Sequence, residues 1–306
     1  MKYLYGPIPS RRLGRSLGIG TIPTKTCNYA CVYCQLGKTK PMTNTRQWFY
    51  PLEAILEEFE QVLASHTEFD VVSIVGEGEP TLYLGLGQLI DELKKRTNKP
   101  VAVITNGALL YDPAVRQELC KADIVLPTVD AWDEASLRQI NRPHRSIHFP
   151  MILEGLLAFC KEYKGQLWLE VMLMAGVNDD VASLTQYANL LKQLKYDRLY
   201  INTPVRPPAE AYASAISHEA MELAVEILGG ISIELMTSLE YHSDIKDDYE
   251  AIISLIRRHP MNQHELDLFL TSRKAAHMTK LLDRLMHDPM VEVITYKGYT
   301  TYRLKY

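Results

Sequence analysis

Three cysteines, Cys27, Cys31 and Cys34, stand in the run Cys27-Asn28-Tyr29-Ala30-Cys31-Val32-Tyr33-Cys34, with Gly37 close behind. Spacings of three and then two residues let one short loop turn all three thiolates toward a compact inorganic core. Soft thiolate sulfur is the ligand type that iron-sulfur clusters and zinc take. A structural zinc site or a plain electron-transfer cluster uses four protein ligands, so three leave one metal position open to another molecule. Cys120 and Cys160 sit singly in helical stretches far along the chain, and neither is an evident fourth ligand. Two blander readings stand beside this one: zinc completed by a distant histidine, and buried structural cysteines.

The surrounding sequence positions this loop. Residues 16–22 alternate between Gly and Pro boundaries and read as a strand that feeds the cysteines; upstream, 6–15 is turn-rich and carries Arg11, Arg12 and Arg15. Residues 51–66 have the apolar spacing of an amphipathic helix. Strand patterns then recur at 71–75, 101–104, 124–129, 167–174, 199–202 and 231–235, with helix patterns at 86–97, 113–121, 149–163, 181–194 and 218–228. Successive βα units predict a parallel sheet with its helices outside. Polar groups and glycines gather after the strands: the cysteines, Gly76-Glu77-Gly78-Glu79-Pro80-Thr81, Thr105-Asn106-Gly107, Asp130, Gly176-Val177-Asn178-Asp179, and Asn202 through Pro208. Each could be ordinary turn chemistry, but together they mark one end of a sheet as the ligand end.

The 306 residues, 47% hydrophobic and 23% charged, suit a globular chain with one large core and a small second domain. The N-terminus does not read as a secretory signal, and no apolar run is long enough to span a bilayer. An odd cysteine number, three of the five in one loop, speaks against a disulfide framework and for the reducing cytoplasm. Charge is uneven: residues 1–52 carry +8 with no acidic residue, 53–247 carry −14 and 248–306 carry +2. The basic opening reads either as a positive mouth for an anionic ligand or as a partner for the acidic helices that follow.

The Cys-x3-Cys-x2-Cys spacing, with Tyr33 before the third cysteine, resembles the signature of the radical S-adenosylmethionine (radical SAM) superfamily. The resemblance implies a 4Fe-4S cluster on Cys27, Cys31 and Cys34. SAM would close its open corner, and an external electron donor such as flavodoxin or ferredoxin would reduce it. SAM would then split into methionine and a 5'-deoxyadenosyl radical that abstracts hydrogen from a substrate. It also implies an α/β fold, a partial (β/α)6 barrel, with the chemistry at the strand C-terminal ends. Gly78 and Glu79 resemble the stretch that receives the methionyl ammonium. Asn106 and Asp130 stand where relatives contact SAM, Asn178 beside the adenine, and Tyr33 on the adenosyl side; Arg12 and Arg206 are substrate candidates. A narrower resemblance, to the wyosine tRNA-modifying synthases, rests on Pro9 to Gly14, Cys27 to Gly37, Gly76 to Thr81, Asn141-Arg142-Pro143 and Arg206-Pro207-Pro208. Those synthases also bind a second cluster through further N-terminal cysteines, which are not found before Cys27, so their pyruvate-fragment chemistry is not carried over.

From residue 248 the pattern changes. Helices at 249–257, 262–269 and 273–286, then two alternating strands around Lys297-Gly298, match the layout of a winged-helix domain. Expected domains are therefore 1–240 and 248–306. Arg273, Lys274, His277 and Lys280 could meet phosphates or base edges, but a net charge of only +2 is modest for a nucleic-acid binder, and winged helices also dock proteins or present substrates. Three readings of function follow: a cytoplasmic radical SAM enzyme acting on an RNA base such as tRNA, one acting on a peptide or protein, and an iron-sulfur sensor that binds nucleic acid without consuming SAM.

Overall fold

In the computed structural model, which describes residues 1–233, 241, 243, 245–257, 259–275, 277–296 and 298–305, the chain opens with an antiparallel pair, β1 (Leu4–Ser10) and β2 (Gly14–Ile19). β2 begins a parallel series: β3 (Val71–Ile74), β4 (Val101–Thr105), β5 (Ile124–Pro127), β6 (Gln166–Met172), β7 (Arg198–Asn202) and β8 (Ile231–Ser232). All eight strands pair in chain order, and among the described residues no pairing joins β8 back to β1. The crossovers hold α1 (Leu52–Ala64), α2 (Leu86–Arg96), α3 (Pro113–Leu119), α4 (Glu134–Ile140), α5 (Phe149–Glu162), α6 (Val181–Leu191) and α7 (His218–Leu228). This is a mixed α/β fold on a parallel sheet, as the pattern led us to expect, without detected barrel closure.

Period-two alternation divides the strand side chains between two cores. Val72, Ile74, Val103, Val125, Leu169 and Ile201 pack with helix residues such as Phe59, Leu89 and Phe159. Val71, Ala102, Leu126, Trp168 and Tyr200 form a separate cluster on the other face. Helices therefore cover one face, as consecutive right-handed crossovers require. The opposite face fills itself at one end with this apolar cluster.

Two elements depart from the sequence reading. Residues 6–15 are not merely a turn: β1 runs through Pro7 and Pro9, which a strand tolerates at the sheet edge, where a missing N–H breaks no ladder. The Tyr5 ring lies flat over Gly18, where an added Cβ would fall 2.2 Å from it. The short helix α4 was not expected; its start is a capping box in which Asp133 accepts from the Ser136 N–H at 2.7 Å.

The C-terminal stretch forms α8 (Asp248–Ile256), β9 (Met261–Asn262), α9 (Gln263–Ser272), α10 (Met278–His287), β10 (Val291–Tyr296) and β11 (Tyr299–Leu304), with sheet order β10-β11-β9. Tyr249, Ile252, Phe269, Leu285 and Tyr302 give it a core of its own, and Ile8 of β1 packs against that core. The expected third helix begins five residues late, at Met278, because Lys274 and His277 take left-handed backbone angles, φ 53° and 61°. Arg273 is turned inward, donating to Asp248 at 2.7 Å and to the carbonyls of Ser243 and Ile245. Glu234 and Leu235 of the expected last strand, Ala276, Lys297 and the expected domain end at residue 240 lie outside the described residues. No helix among the described residues is long and apolar enough to cross a membrane.

Candidate functional site

The loop after β2 is stitched into place by main-chain bonds. Cys27 N–H donates to the Pro41 carbonyl, and Thr43 N–H to that of Cys27. Ala30 and Val32 donate to the carbonyls of Asn141 and Ile140, and His144 N–H to that of Asn28, so the segment after α4 holds the middle of the loop. Gly78 lies against the loop's entry: a Cβ there would stand 1.9 Å from the Thr26 carbonyl oxygen, a contact only glycine permits.

Held this way, Cys27, Cys31 and Cys34 line one cavity of about 320 Å³, together with Arg12, Tyr33, Glu77, Gly78, Glu170, Met172, Asn202 and Arg206. Cys120 and Cys160 are not in its wall. Of the expected contacts, Tyr33 and Gly78 face this cavity, whereas Glu79, Asn106, Asp130 and Asn178 do not. Glu79 is buried and its carboxylate is fully engaged. It accepts from the Thr81 N–H and hydroxyl at 3.0 and 2.6 Å, from the Thr105 hydroxyl at 2.6 Å, and from the Asn106 N–H at 2.7 Å. It ties the loops after β3 and β4 together, while its neighbour Glu77 stands in the cavity wall. The resemblance points to Glu79, but residue type at a strand end does not tell which of the two carboxylates lines the cavity.

Asn106 and Asp130 instead line a second, small cavity of about 30 Å³ that shares Tyr29 with the first. Asp130 accepts from the Tyr33 hydroxyl, from Asn141 Nδ2 at 3.0 Å and from the Met172 N–H at 3.1 Å. Asn178 is spent on its own turn, accepting from the Met174 N–H at 2.7 Å and donating to the Met172 carbonyl and the Tyr187 hydroxyl. Two amides aim N–H groups at sulfur: Asn106 Nδ2 lies 3.7 Å from Cys27 Sγ, and Asn141 Nδ2 3.5 Å from Cys31 Sγ. In the sequence Asn141 stands out only within the Asn141-Arg142-Pro143 stretch, and its distance from Cys31 along the chain hides the contact between them.

The two arginine candidates are both paired. Arg12 is bound to Glu170, and burial pulls its guanidinium down to about 10. Arg206 reaches from the loop after β7 to the C-terminal unit. It donates to both oxygens of Glu265 at 3.0 Å, to the Tyr241 hydroxyl at 3.0 Å, and to the Pro260 carbonyl, and it lies against His259. Tyr296 and Arg303 add bonds to the Pro204 and Pro207 carbonyls. The C-terminal unit thus fixes the loop that forms one wall of the cavity.

Burial pushes all three thiols up, Cys27 further under the charge of Glu79 and Cys31 under that of Asp130. Cys34 differs, since the Leu36 N–H and the charges of Lys25 and Arg303 act against burial. Burial likewise raises Glu79 and Asp130 against the hydrogen bonds that lower them. Metal binding here must therefore displace thiol protons. Among the described residues no three His, Cys, Asp or Glu side chains gather tightly enough for a single ion. Three thiols on one cavity wall are the soft donor set of an iron-sulfur cluster with one open position.

The Radical SAM superfamily profile matches residues 21–202. The UPF0026 protein of Methanocaldococcus jannaschii is 34% identical over 99% of this chain and 96% of its own length. Among solved structures, a radical SAM methyltransferase from Sphaerobacter thermophilus has a TM-score of 0.51 and 15% identity, covering 72% of this chain and 68% of that one. Native anSMEcpe with bound AdoMet has a TM-score of 0.52 and 18% identity, covering 70% and 59%. At these identities the two structures speak for the fold. The chain belongs to the radical SAM superfamily, a class of enzymes, and more particularly to the UPF0026 family.

Proposed function

We propose that Cys27, Cys31 and Cys34 hold a 4Fe-4S cluster whose open iron binds S-adenosylmethionine, and that the substrate approaches from the same cavity. The observation that carries this reading is the set of three thiols on one cavity wall at the C-terminal ends of parallel strands. When bound and reduced, the cluster and SAM supply a 5'-deoxyadenosyl radical that takes a hydrogen atom from the substrate. The Asn106 and Asn141 side chains would donate to the ligating sulfurs and tune the cluster's potential. Glu77 and Gly78 would bound the methionyl end of SAM, with Glu79 locking their loop. Tyr33, oriented by Asp130, would flank the adenosyl end. Asn178 would shape the loop after β6 rather than touch the ligand.

We further take residues 1–240 as a partial-barrel domain and 248–306 as a winged helix, a reading supported by the separate core and three-stranded sheet of the latter. An external one-electron donor of the flavodoxin or ferredoxin kind would reduce the cluster. An RNA base is the substrate favoured by the basic opening stretch and by the resemblance to the wyosine synthases; a peptide is the rival.

The test is anaerobic reconstitution with iron and sulfide, reduction by dithionite with SAM, and chromatography for 5'-deoxyadenosine and methionine. Both products are expected, and the true substrate class should raise their rate. A cluster that binds SAM but never cleaves it, with RNA and peptide candidates present, would favour the sensor instead.

A further inference from the structure

A cavity of about 240 Å³ adjoins the one lined by the thiols, with Arg12, Gly76, Asn202 and Arg206 in the walls of both. Its far side is built by Ser10 and Arg11 at the β1–β2 turn and by His259 and Glu265 of the C-terminal unit. Most charge around it is matched. Arg12 is paired with Glu170 and Arg206 with Glu265, and His259 is kept neutral at ordinary pH by burial and by Arg206. Arg11 is the exception. It is half-buried and lines this cavity, and among the described residues it makes no hydrogen bond or ion pair. Among the described residues the cavity therefore keeps one positive charge without an ion-pair partner, on a fork-shaped donor suited to two oxygens of one anion.

We infer that this second cavity is the substrate's anchoring site and that Arg11 receives an oxyanion group of the substrate, a phosphate or a carboxylate. The rest of the substrate then extends past the shared wall toward the thiols. Anchoring by an anion remote from the reacting carbon orients that carbon without placing charge beside it. The inference rests on the proposed reading of the first cavity as the cofactor site. It transfers the substrate-binding role from Arg12 and Arg206, whose guanidinium groups are already engaged, to the residue beside Arg12.

The experiment uses the full chain, loaded with cluster and kept anaerobic. Inorganic phosphate is titrated and followed by phosphorus NMR line width, and acetate is followed by saturation transfer. Saturable binding of at least one is expected, weakened about tenfold or more in Arg11→Gln, as for loss of a charge-assisted hydrogen bond, and partly retained in Arg11→Lys. Phosphate binding marks a phosphorylated substrate such as a nucleotide; acetate binding marks a carboxylate such as a peptide's. A second readout needs no variant: phenylglyoxal labels accessible guanidinium groups, and the bound anion should protect Arg11 but not the exposed Arg198. Wild-type protein that binds neither anion, Arg11→Gln that binds as tightly as wild type, or labelling of Arg11 unchanged by anion each overturns the inference. Wild type that binds anion but forms no 5'-deoxyadenosine would instead defeat the cofactor reading and leave the anion site standing.

Discussion

The inward positions of β6 and β7 change character along their length. At the N-terminal end Trp168 and Tyr200 pack with Val71, Ala102 and Leu126 into a closed apolar cluster. Farther along, Glu170, Met172 and Asn202 line the cavity that the three thiols share. The same strands therefore carry two jobs, separated by only a few residues. One end excludes water and contributes stability; the other stays hollow, leaves room for a ligand, and offers donors and charges that a packed core would not tolerate unpaired.

Substitutions at the two ends should separate these jobs. The largest effect is expected at the hollow end. Cys27→Ala should abolish cluster loading and 5'-deoxyadenosine formation while changing the urea stability of the metal-free chain by no more than about 1 kcal/mol. Iron and sulfide analysis beside a denaturation curve reads both quantities, and full iron loading would break the comparison. At the sealed end, Trp168→Ala should cost about 3–5 kcal/mol of stability by opening a core cavity, yet leave iron per folded chain unchanged. Loss of loading in folded Trp168→Ala would mean that the ends are not separable.

A smaller effect sharpens the contrast at the edge of the hollow end. Glu265→Gln leaves the largely buried Arg206 side chain without its carboxylate and should cost about 3 kcal/mol in a denaturation curve, or appear as easier proteolytic release of the C-terminal unit. An unchanged curve and digestion pattern would show that the ion pair does not fasten the two parts.

The smallest is a pH effect. Burial and then Arg206 hold the His259 imidazole at about 3, below its ordinary 6.5. Burial would raise Glu265, but the charge and hydrogen bonds of Arg206 outweigh it and hold the carboxyl at about 2, below 4.5. Both folded-state values are depressed, so the unfolded chain binds more protons in these windows. The stability from His259 is complete above pH 6.5 and lost as pH falls toward 3; that from Glu265 is lost between 4.5 and 2. The slope from His259 is at most about 1.4 kcal/mol per pH unit. His259→Gln should flatten the curve between pH 6.5 and 4.5, and an unaltered slope there would assign it to other groups.

Much of the sealed end was legible in the sequence, because alternation and apolar runs are local signals that fixed β3 to β7 to within two or three residues. β1 was not, since Pro7 and Pro9 read as turn residues until the strand is known to lie at an edge. That the three cysteines, which the structure sets on one cavity wall, share one loop was legible by spacing alone. Their supports were not: Asn141 meets Cys31 from 110 residues away, and Arg12 meets Glu170 from 158 away. Such pairings are decided by packing between distant segments, which is also why the sequence did not show that Arg12 is paired with a carboxylate. Orientation was the other hidden variable, as the four donors around Glu79 show.

The central claim is that the three thiols hold a cluster with one iron left open to SAM. Low-temperature electron paramagnetic resonance of the reconstituted, dithionite-reduced chain tests it most directly. The account predicts a reduced 4Fe-4S signal whose shape shifts when SAM is added and which is lost in Cys27→Ala, Cys31→Ala and Cys34→Ala. A signal indifferent to SAM, or one that survives loss of any of the three cysteines, would contradict it.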